Sequence, residues 1–253
     1  MDGLAGPVRA PPLSNTANGA RTGAMTTKRR EKLFGGEYSP EGATLTDQAY
    51  QELEEQIVTL DIAPGTVVSE AQLSKRLGIG RTPTREALQR LARERLVVIM
   101  PRRGIVVSEI NVQTQLQLIE VRRELERLLA QSAARRATEA QRARFAELAE
   151  AMKRCAESGD GDGFMKLDRE FNQLALAAAR NGFLASALAL VHGLSRRFWF
   201  AFHREVGDLA ATATLHATVA RAIAEGDRER AAAASDRLMA HVEDFARRAV
   251  TQI

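Results

Sequence analysis

The residues with the most evident chemistry are the arginines of one short stretch, LGIGRTPTREALQRLARERLV, between Leu77 and Val97. An arginine guanidinium donates two parallel hydrogen bonds, and this geometry matches both a phosphate and the O6 and N7 atoms of guanine. From residue 75 to residue 103 the chain has nine lysines and arginines and two glutamates, whereas the net charge of the whole chain is +4. Such a local concentration of cations is typical of a nucleic-acid-binding surface.

The elements predicted around these arginines are those of a winged helix-turn-helix. Ser69 can cap a short helix over residues 70–77, and Gly78 ends that helix as a C-terminal glycine. Thr82 is predicted as the N-cap of the next helix, with Pro83 in its first position. The β-branched stretches LVVIM and IVVSEI flank the basic turn PRRG and predict two short strands. Because these elements agree, DNA binding is favoured over the alternative of a solvated cationic helix face.

The N-terminal end of the second helix is predicted to read DNA. In a helix-turn-helix this end enters the major groove, so Arg81 and Arg85 are predicted to reach base edges. Neighbouring threonine hydroxyls can bind phosphates, and the arginines of the PRRG turn can reach a minor groove or the backbone. The glycine of that turn permits a tight bend. The predicted DNA-binding residues are Arg81, Thr82, Thr84, Arg85, Arg102, Arg103 and Gly104.

The rest of the chain predicts a bundle of about six amphipathic helices, rich in alanine and leucine. Aromatic residues make up only 5% of the chain, which favours helix over sheet. The predicted fold class is therefore mainly α, with an N-terminal winged helix-turn-helix and a C-terminal all-helical bundle. The predicted organisation is a disordered tail over 1–43, the DNA-binding domain over 44–108 and the helical domain over 109–253. Met25 is a second candidate for the first residue of the protein.

Composition also excludes several classes of protein. The single cysteine, Cys155, cannot form a disulfide within one chain, and a reduced compartment is the simplest interpretation. No run approaches the ~18 apolar residues of a membrane span, and the N-terminus lacks the apolar core of a secretory signal. These features predict a cytoplasmic protein.

A second unusual segment, LSRRFWFAFHRE over 194–205, predicts a site for an organic anion. Positions 196, 199, 200 and 203 share one helix face, which combines a cation, an indole and an imidazole. Arginine binds a carboxylate through two hydrogen bonds. The alternative is that the aromatics pack in the core while the arginines are solvated. The predicted effector-binding residues are Arg196, Arg197, Trp199 and His203.

Two families resemble the two parts of the chain. The segment PGTVVSEAQLSKRLGIGRTPTREALQRLARERLVVIMPRRGIVV resembles the GntR family of bacterial transcription regulators over about residues 44–108, although Gly80 replaces the usual serine or threonine. The C-terminal part resembles the FCD type, the helical ligand-binding domain of the FadR branch, through EVRRELE, DREFN, ARNGF and two later histidines. The resemblance implies a homodimer on a palindromic operator of double-stranded DNA, controlled by a small-molecule effector.

The resemblance also implies one divalent metal ion, which FCD domains hold with an aspartate and three histidines. Asp168, His216 and His241 match that set, but Asn172 stands where a histidine is usual. The expected metal is zinc, nickel or manganese, with Asn172 or water completing the coordination. The alternative is a pocket without metal, in which the asparagine and histidines act as hydrogen-bonding groups.

These observations predict a sequence-specific transcriptional regulator, acting as a repressor, whose operator binding responds to an organic acid in the helical domain. The protein is not expected to be an enzyme, because no nucleophile motif or phosphate-binding loop is present. Two alternatives stay open: a non-specific architectural DNA-binding protein and a metal-dependent enzyme.

Overall fold

The computed structural model describes residues 44–250, and this part of the chain forms nine helices and three short strands. The tail predicted over residues 1–43 lies outside the described residues. The helices are α1 (Leu45–Val58), α2 (Glu70–Leu77), α3 (Arg81–Arg93), α4 (Val112–Arg136), α5 (Glu139–Ser158), α6 (Gly161–Ala179), α7 (Gly182–Val206), α8 (Leu209–Glu225) and α9 (Arg228–Val250). The strands are β1 (Val67–Val68), β2 (Val97–Met100) and β3 (Gly104–Val107). The predicted fold class is confirmed.

The first three helices and the sheet form the winged helix-turn-helix. The sheet has the order β1-β3-β2 with antiparallel pairing throughout, so β3 lies between the other two strands. Ser69 caps α2 through a reciprocal capping box with Gln72, and Gly78 ends that helix in the left-handed conformation, as predicted. Leucines from α1, α3 and the start of the wing pack into one buried core.

The helix α3 starts earlier than the sequence predicts. Its N-cap is Gly80 and its first residue is Arg81, so Thr82 lies within the first turn and the prediction of Thr82 as N-cap is wrong. Pro83 then takes the third helical position. That position is compatible with proline because the first four N–H groups of a helix have no intrahelical acceptor.

The six C-terminal helices form the predicted bundle. Long packed pairs, α5 with α8 and α4 with α9, account for much of the bundle. Alanines on their facing sides let the helices approach closely around larger residues such as Phe145, Leu148 and Met152. Thr138 and Gln141 form the expected capping box. The break predicted over 158–163 is shorter, because Asp160 caps α6.

The two domains pack against each other through α1 and α7. Leu194 of α7 lies against the core of the DNA-binding domain, and Gly193 allows this close approach. A Cβ atom on Gly193 would lie 3.1 Å from Leu96 Cδ1. The middle of α7 therefore belongs to the helical bundle and also packs against the DNA-binding domain. Within residues 44–250, no helix is both long and apolar enough to cross a membrane.

The wing depends on a glycine at position 104. We expect Gly104→Ala to lower the free energy of unfolding by about 2 kcal/mol, because its φ is +99° and a Cβ would lie 2.9 Å from the Val68 carbonyl oxygen. Gly78→Ala is the matched control, since Gly78 also has a positive φ but nothing lies within 4 Å of its Cβ position. We expect this control to lose about 1 kcal/mol. Equal losses in urea unfolding would show that the contact with β1 does not restrain the wing.

Candidate functional site

The recognition helix α3 exposes a row of polar side chains on one face. Arg81, Arg85, Gln89 and Arg93 follow each other at intervals of four residues, and all four are exposed. Residues four apart lie on one side of a helix, so this row presents three guanidinium groups and one amide. Sequence reasoning missed Gln89, although its spacing from Arg85 could have identified it. Glutamine can pair with N6 and N7 of adenine, as arginine pairs with guanine.

Arg85 is held by an ion pair within the helix-turn-helix. Its Nε and Nη2 atoms lie 2.9–3.1 Å from the carboxylate oxygens of Glu70, at the start of α2. The Arg85 side chain remains 64% exposed. An exposed ion pair contributes about 1 kcal/mol or less, so a base or a phosphate can displace Glu70 at small cost.

Arg90 has a structural role instead. Its guanidinium carbon lies 3.6 Å from the centre of the Tyr50 ring, and its Nε donates to Glu94 at 3.3 Å. The Tyr50 hydroxyl donates to the other Glu94 oxygen at 2.7 Å. Burial, together with the Glu94 carboxylate, raises the pKa of Tyr50 well above its usual range. This cluster joins α1 to α3, so Arg90 is bound to its own domain in this conformation.

The predicted threonine contacts differ from each other. Thr82 is exposed on the first turn of α3, beside the free N–H groups of the helix N-terminus. Thr84 is fully buried, and its hydroxyl donates to the Gly80 carbonyl at 2.9 Å. The structure therefore does not place Thr84 on the DNA-binding surface. Its hydroxyl is used inside the first turn of α3, where it donates to the carbonyl of the N-cap residue.

The wing presents its cations as predicted from the PRRG turn. Arg102 and Arg103 are exposed and make no ion pair with any residue in the range 44–250. Gly104 is partly buried against β1, so its contribution is to the shape of the wing. We use the name DNA-binding surface for the wing tip and the exposed row of α3 together, after the role that the sequence predicts for this region.

A small cavity lies inside the helical domain, among α4, α6, α7, α8 and α9. Its volume is about 70 Å³. Its wall combines aromatic rings with polar and charged groups. The lining residues that carry a ring or a charge are Arg122, Phe164, Asp168, Arg196, Phe198, Trp199, His216, His241 and Phe245. A cavity with apolar walls and a few converging polar groups is typical of a small-molecule site.

Asp168 and His216 form a direct ion pair in this cavity. His216 Nε2 donates to Asp168 Oδ1 at 3.1 Å, and His216 Nδ1 donates to the Thr212 carbonyl at 2.9 Å. Because both ring nitrogens face acceptors, the imidazole carries two protons and a positive charge. Burial opposes this charge, but the hydrogen bond and charge of Asp168 outweigh it and raise the pKa of His216. The same pairing holds the pKa of Asp168 below its usual range despite burial.

The four residues that the resemblance implies as metal ligands do not fit a metal ion. The Asn172 amide nitrogen donates to Asp168 Oδ1 at 3.2 Å. His241 Nε2 donates to Thr212 Oγ1 at 3.0 Å, because the proton of that hydroxyl is given to the Asp208 carbonyl. A metal-ligating histidine needs a free nitrogen lone pair. Both nitrogens of His216 act as donors, and the His241 nitrogen that is bonded to Thr212 has no lone pair to offer. Among residues 44–250, no three His, Cys, Asp or Glu side chains are grouped closely enough to hold a metal ion.

Arg122 supplies a cation that sequence reasoning did not assign to the cavity. Its Nε donates to Glu126 Oε1 at 3.0 Å, and His192 Nε2 lies 3.0 Å from the same oxygen. Burial disfavours the carboxylate, but Arg122 and His192 outweigh it and lower the pKa of Glu126 to about 2. Glu126 therefore fixes the orientation of Arg122. The EVRRELE motif contains both residues, but only the structure shows that Arg122 lines the cavity.

The four predicted effector-binding residues of α7 fall into two pairs. Arg196 and Trp199 line the cavity. Arg197 instead faces a cleft between the domains, and His203 stacks on Trp199 with ring centroids 4.1 Å apart. Arg197 and His203 are therefore outside the cavity in this conformation.

Arg196 and Arg197 of α7 both bind the DNA-binding domain. Arg196 Nη1 donates to Glu54 at 2.9 Å and Arg196 Nη2 donates to Glu55 at 3.0 Å, both on α1. Arg197 Nη1 donates to the Ser108 carbonyl at 2.9 Å, at the junction between β3 and α4. Burial lowers the pKa of Arg197 to about 10. Sequence reasoning missed Glu54 and Glu55, because no local pattern relates them to Arg196, which lies 142 and 141 positions further along the chain.

Two family matches cover most of the described chain. Residues 45–107 match the family described as bacterial regulatory proteins, gntR family, and residues 117–241 match the FCD domain. The chain is 32% identical over 190 residues to an HTH-type transcriptional regulator encoded in an unstable DNA locus of Streptomyces ambofaciens, covering 74% of this chain and 78% of that relative. It is 34% identical over 130 residues to the HTH-type transcriptional repressor RspR of Escherichia coli strain K12, which covers 51% of this chain and 57% of RspR. The chain thus matches a little over half the length of RspR.

Solved structures share the fold. The McbR/YncC protein of E. coli superposes with a TM-score of 0.69 at 20% identity, covering 83% of this chain and 100% of that protein. A GntR transcriptional regulator from Rhodococcus sp. RHA1 gives a TM-score of 0.59 at 20% identity, covering 82% and 98%. Identity at this level is evidence for the fold alone. From the family matches and the S. ambofaciens relative, the chain belongs to the GntR family of bacterial regulatory proteins, with an FCD domain as its C-terminal part.

Proposed function

We propose that this protein is a sequence-specific transcriptional repressor of the bacterial cytoplasm, whose operator binding is controlled by an organic acid bound in the FCD domain. The observation that carries the proposal is the exposed row of Arg81, Arg85 and Gln89 at the N-terminal half of the recognition helix. These side chains can each donate to base edges in a major groove. The wing arginines then bind the adjacent backbone or minor groove.

The cavity supports an acidic effector. Arg122, Arg196 and the protonated His216 bring three cations to its wall, and Asp168 is the one carboxylate there within the described chain. Trp199 and three phenylalanines supply an apolar surface for the rest of the ligand. A small organic anion is the chemical class that matches a partly aromatic cavity whose wall presents three cationic donors and one carboxylate. Because its present volume is about 70 Å³, a larger acid requires the surrounding helices to move.

The regulator acts as a homodimer on a two-fold symmetric operator. One recognition helix reads only a few base pairs, so two half-sites are needed for specificity in a genome. The FCD domain exposes large apolar side chains that suit a subunit interface. Val121 and Leu128 of α4 are 56% and 45% exposed, and Phe183 of α7 is 92% exposed.

An architectural DNA-binding protein is the alternative that shares most of these features. It also has a cationic surface, but it contacts phosphates and has no base readers. A metal-dependent enzyme is less well supported, since the relatives named above are regulators and the expected ligand set does not fit a metal.

Arg85→Ala separates the specific regulator from the architectural protein. We expect it to weaken binding to an operator selected from a random-sequence library by about 1–3 kcal/mol, with little effect on random DNA, because it removes a base contact. Fluorescence anisotropy at fixed salt measures both affinities. Arg127→Ala is the matched control, because Arg127 is an exposed arginine of α4 paired with Asp236. Equal loss on both DNAs would favour the architectural protein.

Arg102→Ala and Arg103→Ala are expected to behave differently from Arg85→Ala. Each should weaken binding to operator and random DNA alike and reduce the slope of log K against log salt by about 1, because each removes one phosphate contact. A salt titration measures this slope. A loss confined to the operator would assign these residues a base-reading role instead.

The metal content of the untagged protein tests whether the cavity holds a metal ion. We expect less than stoichiometric zinc, nickel or manganese by mass spectrometry of the purified protein, even after soaking with each ion, because both nitrogens of His216 and Nε2 of His241 act as donors. The variant Asn172→His restores the usual ligand type and serves as the comparison. Stoichiometric metal in the wild type that His216→Ala loses would contradict a metal-free cavity.

The dimer is tested by light scattering. We expect the double variant Val121→Glu, Leu128→Glu to shift the protein from dimer to monomer and to weaken operator binding, because charges replace an apolar contact. Gln173→Glu, an exposed change on α6, should leave the dimer intact. A dimeric double variant would place the interface elsewhere, and a monomeric wild type would contradict the homodimer itself.

A further inference from the structure

Two buried donors of α7 point to a carboxylate subsite within the cavity. Ser195 Oγ and Arg196 Nε are both buried and have no hydrogen-bond partner among the described residues. Ser195 is 7% exposed, and both residues line the cavity. Leaving a buried donor without an acceptor is unfavourable, so two such donors on residues that line one cavity favour a ligand that accepts hydrogen bonds.

The other two nitrogens of the Arg196 guanidinium, Nη1 and Nη2, face the DNA-binding domain. Arg196 Nη1 and Nη2 bind Glu54 and Glu55 of α1, while Arg169 of α6 lies 3.2 Å from Glu55 and 3.7 Å from Glu54. Glu54 is 6% exposed, whereas the side chains of Glu55 and Arg169 are 24% and 39% exposed, so the Glu54 end of this ion-pair cluster is the part shielded from water. Within the described chain, Arg196 thus touches both the ligand cavity and the DNA-binding domain.

We propose that a carboxylate bound to Ser195 Oγ and Arg196 Nε competes with Glu54 and Glu55 for Arg196, and so loosens the docking of the DNA-binding domain on the FCD domain. This inference rests on the proposed function, in which the effector is an acid. It adds the residues that bind the acid and the domain contact through which the acid changes DNA binding. It also assigns a direction: the acid releases the operator.

The competition follows from the charges around Arg196. With no ligand, two cations, Arg169 and Arg196, balance two carboxylates, Glu54 and Glu55. A third carboxylate on Arg196 adds negative charge beside both glutamates, and repulsion is strong where water is excluded. By linkage, whatever weakens the α1 contact strengthens ligand binding by the same factor.

Loosened docking lowers operator affinity because the two recognition helices of a dimer must lie about one turn of DNA apart, roughly 34 Å. When the DNA-binding domains are docked on the FCD domains, the two recognition helices have this spacing before they bind DNA. DNA-binding domains that move independently lose more conformational freedom when they bind, and this loss weakens the complex with DNA. Binding to random DNA requires no fixed spacing and is affected less.

The experiment uses full-length protein, acetate as the probe and acetamide as its uncharged control. Trp199 is the single tryptophan of the chain and lines the cavity, so its fluorescence reports binding. The variants are Glu54→Gln with Glu55→Gln, Arg196→Gln and Ser195→Ala. Glu139→Gln with Glu157→Gln removes two exposed carboxylates of α5 and controls for net charge. Amide hydrogen exchange of α1 measures docking directly.

We expect acetate, but not acetamide, to bind the wild type and to speed amide exchange in α1. The Glu54→Gln, Glu55→Gln protein should bind acetate about tenfold more tightly, whereas the charge control should match the wild type. Ser195→Ala, a small change that preserves the ion pairs, should bind acetate several-fold more weakly. Arg196→Gln should lose acetate binding, and its circular dichroism checks that it is folded.

Equal acetate affinity in the wild type and the Glu54→Gln, Glu55→Gln protein would overturn the competition while leaving an acid-binding cavity. Unchanged affinity in Ser195→Ala and Arg196→Gln would overturn the subsite. If neither the wild type nor any variant binds acetate, the proposed subsite is wrong. If the wild type then still binds its operator more tightly than random DNA, the proposed DNA-binding function stands without the subsite.

Discussion

The ion-pair cluster between α1 and α7 joins the two domains of this structure, and the regulation proposed above depends on it. Arg196 binds Glu54 and Glu55, and Arg197 binds the backbone where the wing meets α4. These two neighbouring side chains fix both ends of the DNA-binding domain to the FCD domain. The orientation of the recognition helix therefore depends on a few charged contacts, together with the apolar contact that Leu194 makes with the core of the DNA-binding domain.

This constraint explains why the arginines of α7 differ from those of α3. On α3 the guanidinium groups of Arg81, Arg85 and Arg93 are exposed, so phosphates and bases of DNA can reach them. On α7 Arg197 is buried and Arg196 is partly buried, and both bind acceptors of the other domain. Exposure thus suits the α3 side chains to the proposed recognition of DNA, whereas burial commits Arg196 and Arg197 to contacts between the domains.

Local patterns predicted the fold well. The capping box at Ser69, the glycine at position 78 and the Thr138–Gln141 pair are all signals contained within a few residues, and each element formed where they placed it. The start of α3 was misplaced because Gly80 can cap a helix without a side-chain bond. Thr84 was placed on the surface because sequence spacing does not show which way a first-turn residue faces.

The cavity was less accessible to sequence reasoning, because its residues come from five helices. The resemblance identified Asp168, His216 and His241, but the direct Asp168–His216 pair is a property of packing. The contacts of Arg196 with Glu54 and Glu55 join residues about 140 positions apart, which no periodicity reveals. Such long-range charge pairs appear only when the two domains are seen together.

The most direct test of this account is the operator affinity of the Glu54→Gln, Glu55→Gln protein, measured beside its affinity for random DNA. Removing two negative charges strengthens non-specific binding to DNA on electrostatic grounds alone. If docking sets the orientation of the recognition helix, operator affinity should nevertheless fall by about tenfold, with no residue of the DNA-binding surface altered. Operator affinity that is unchanged, or that rises in step with random DNA, would show that the domain contact does not govern DNA recognition.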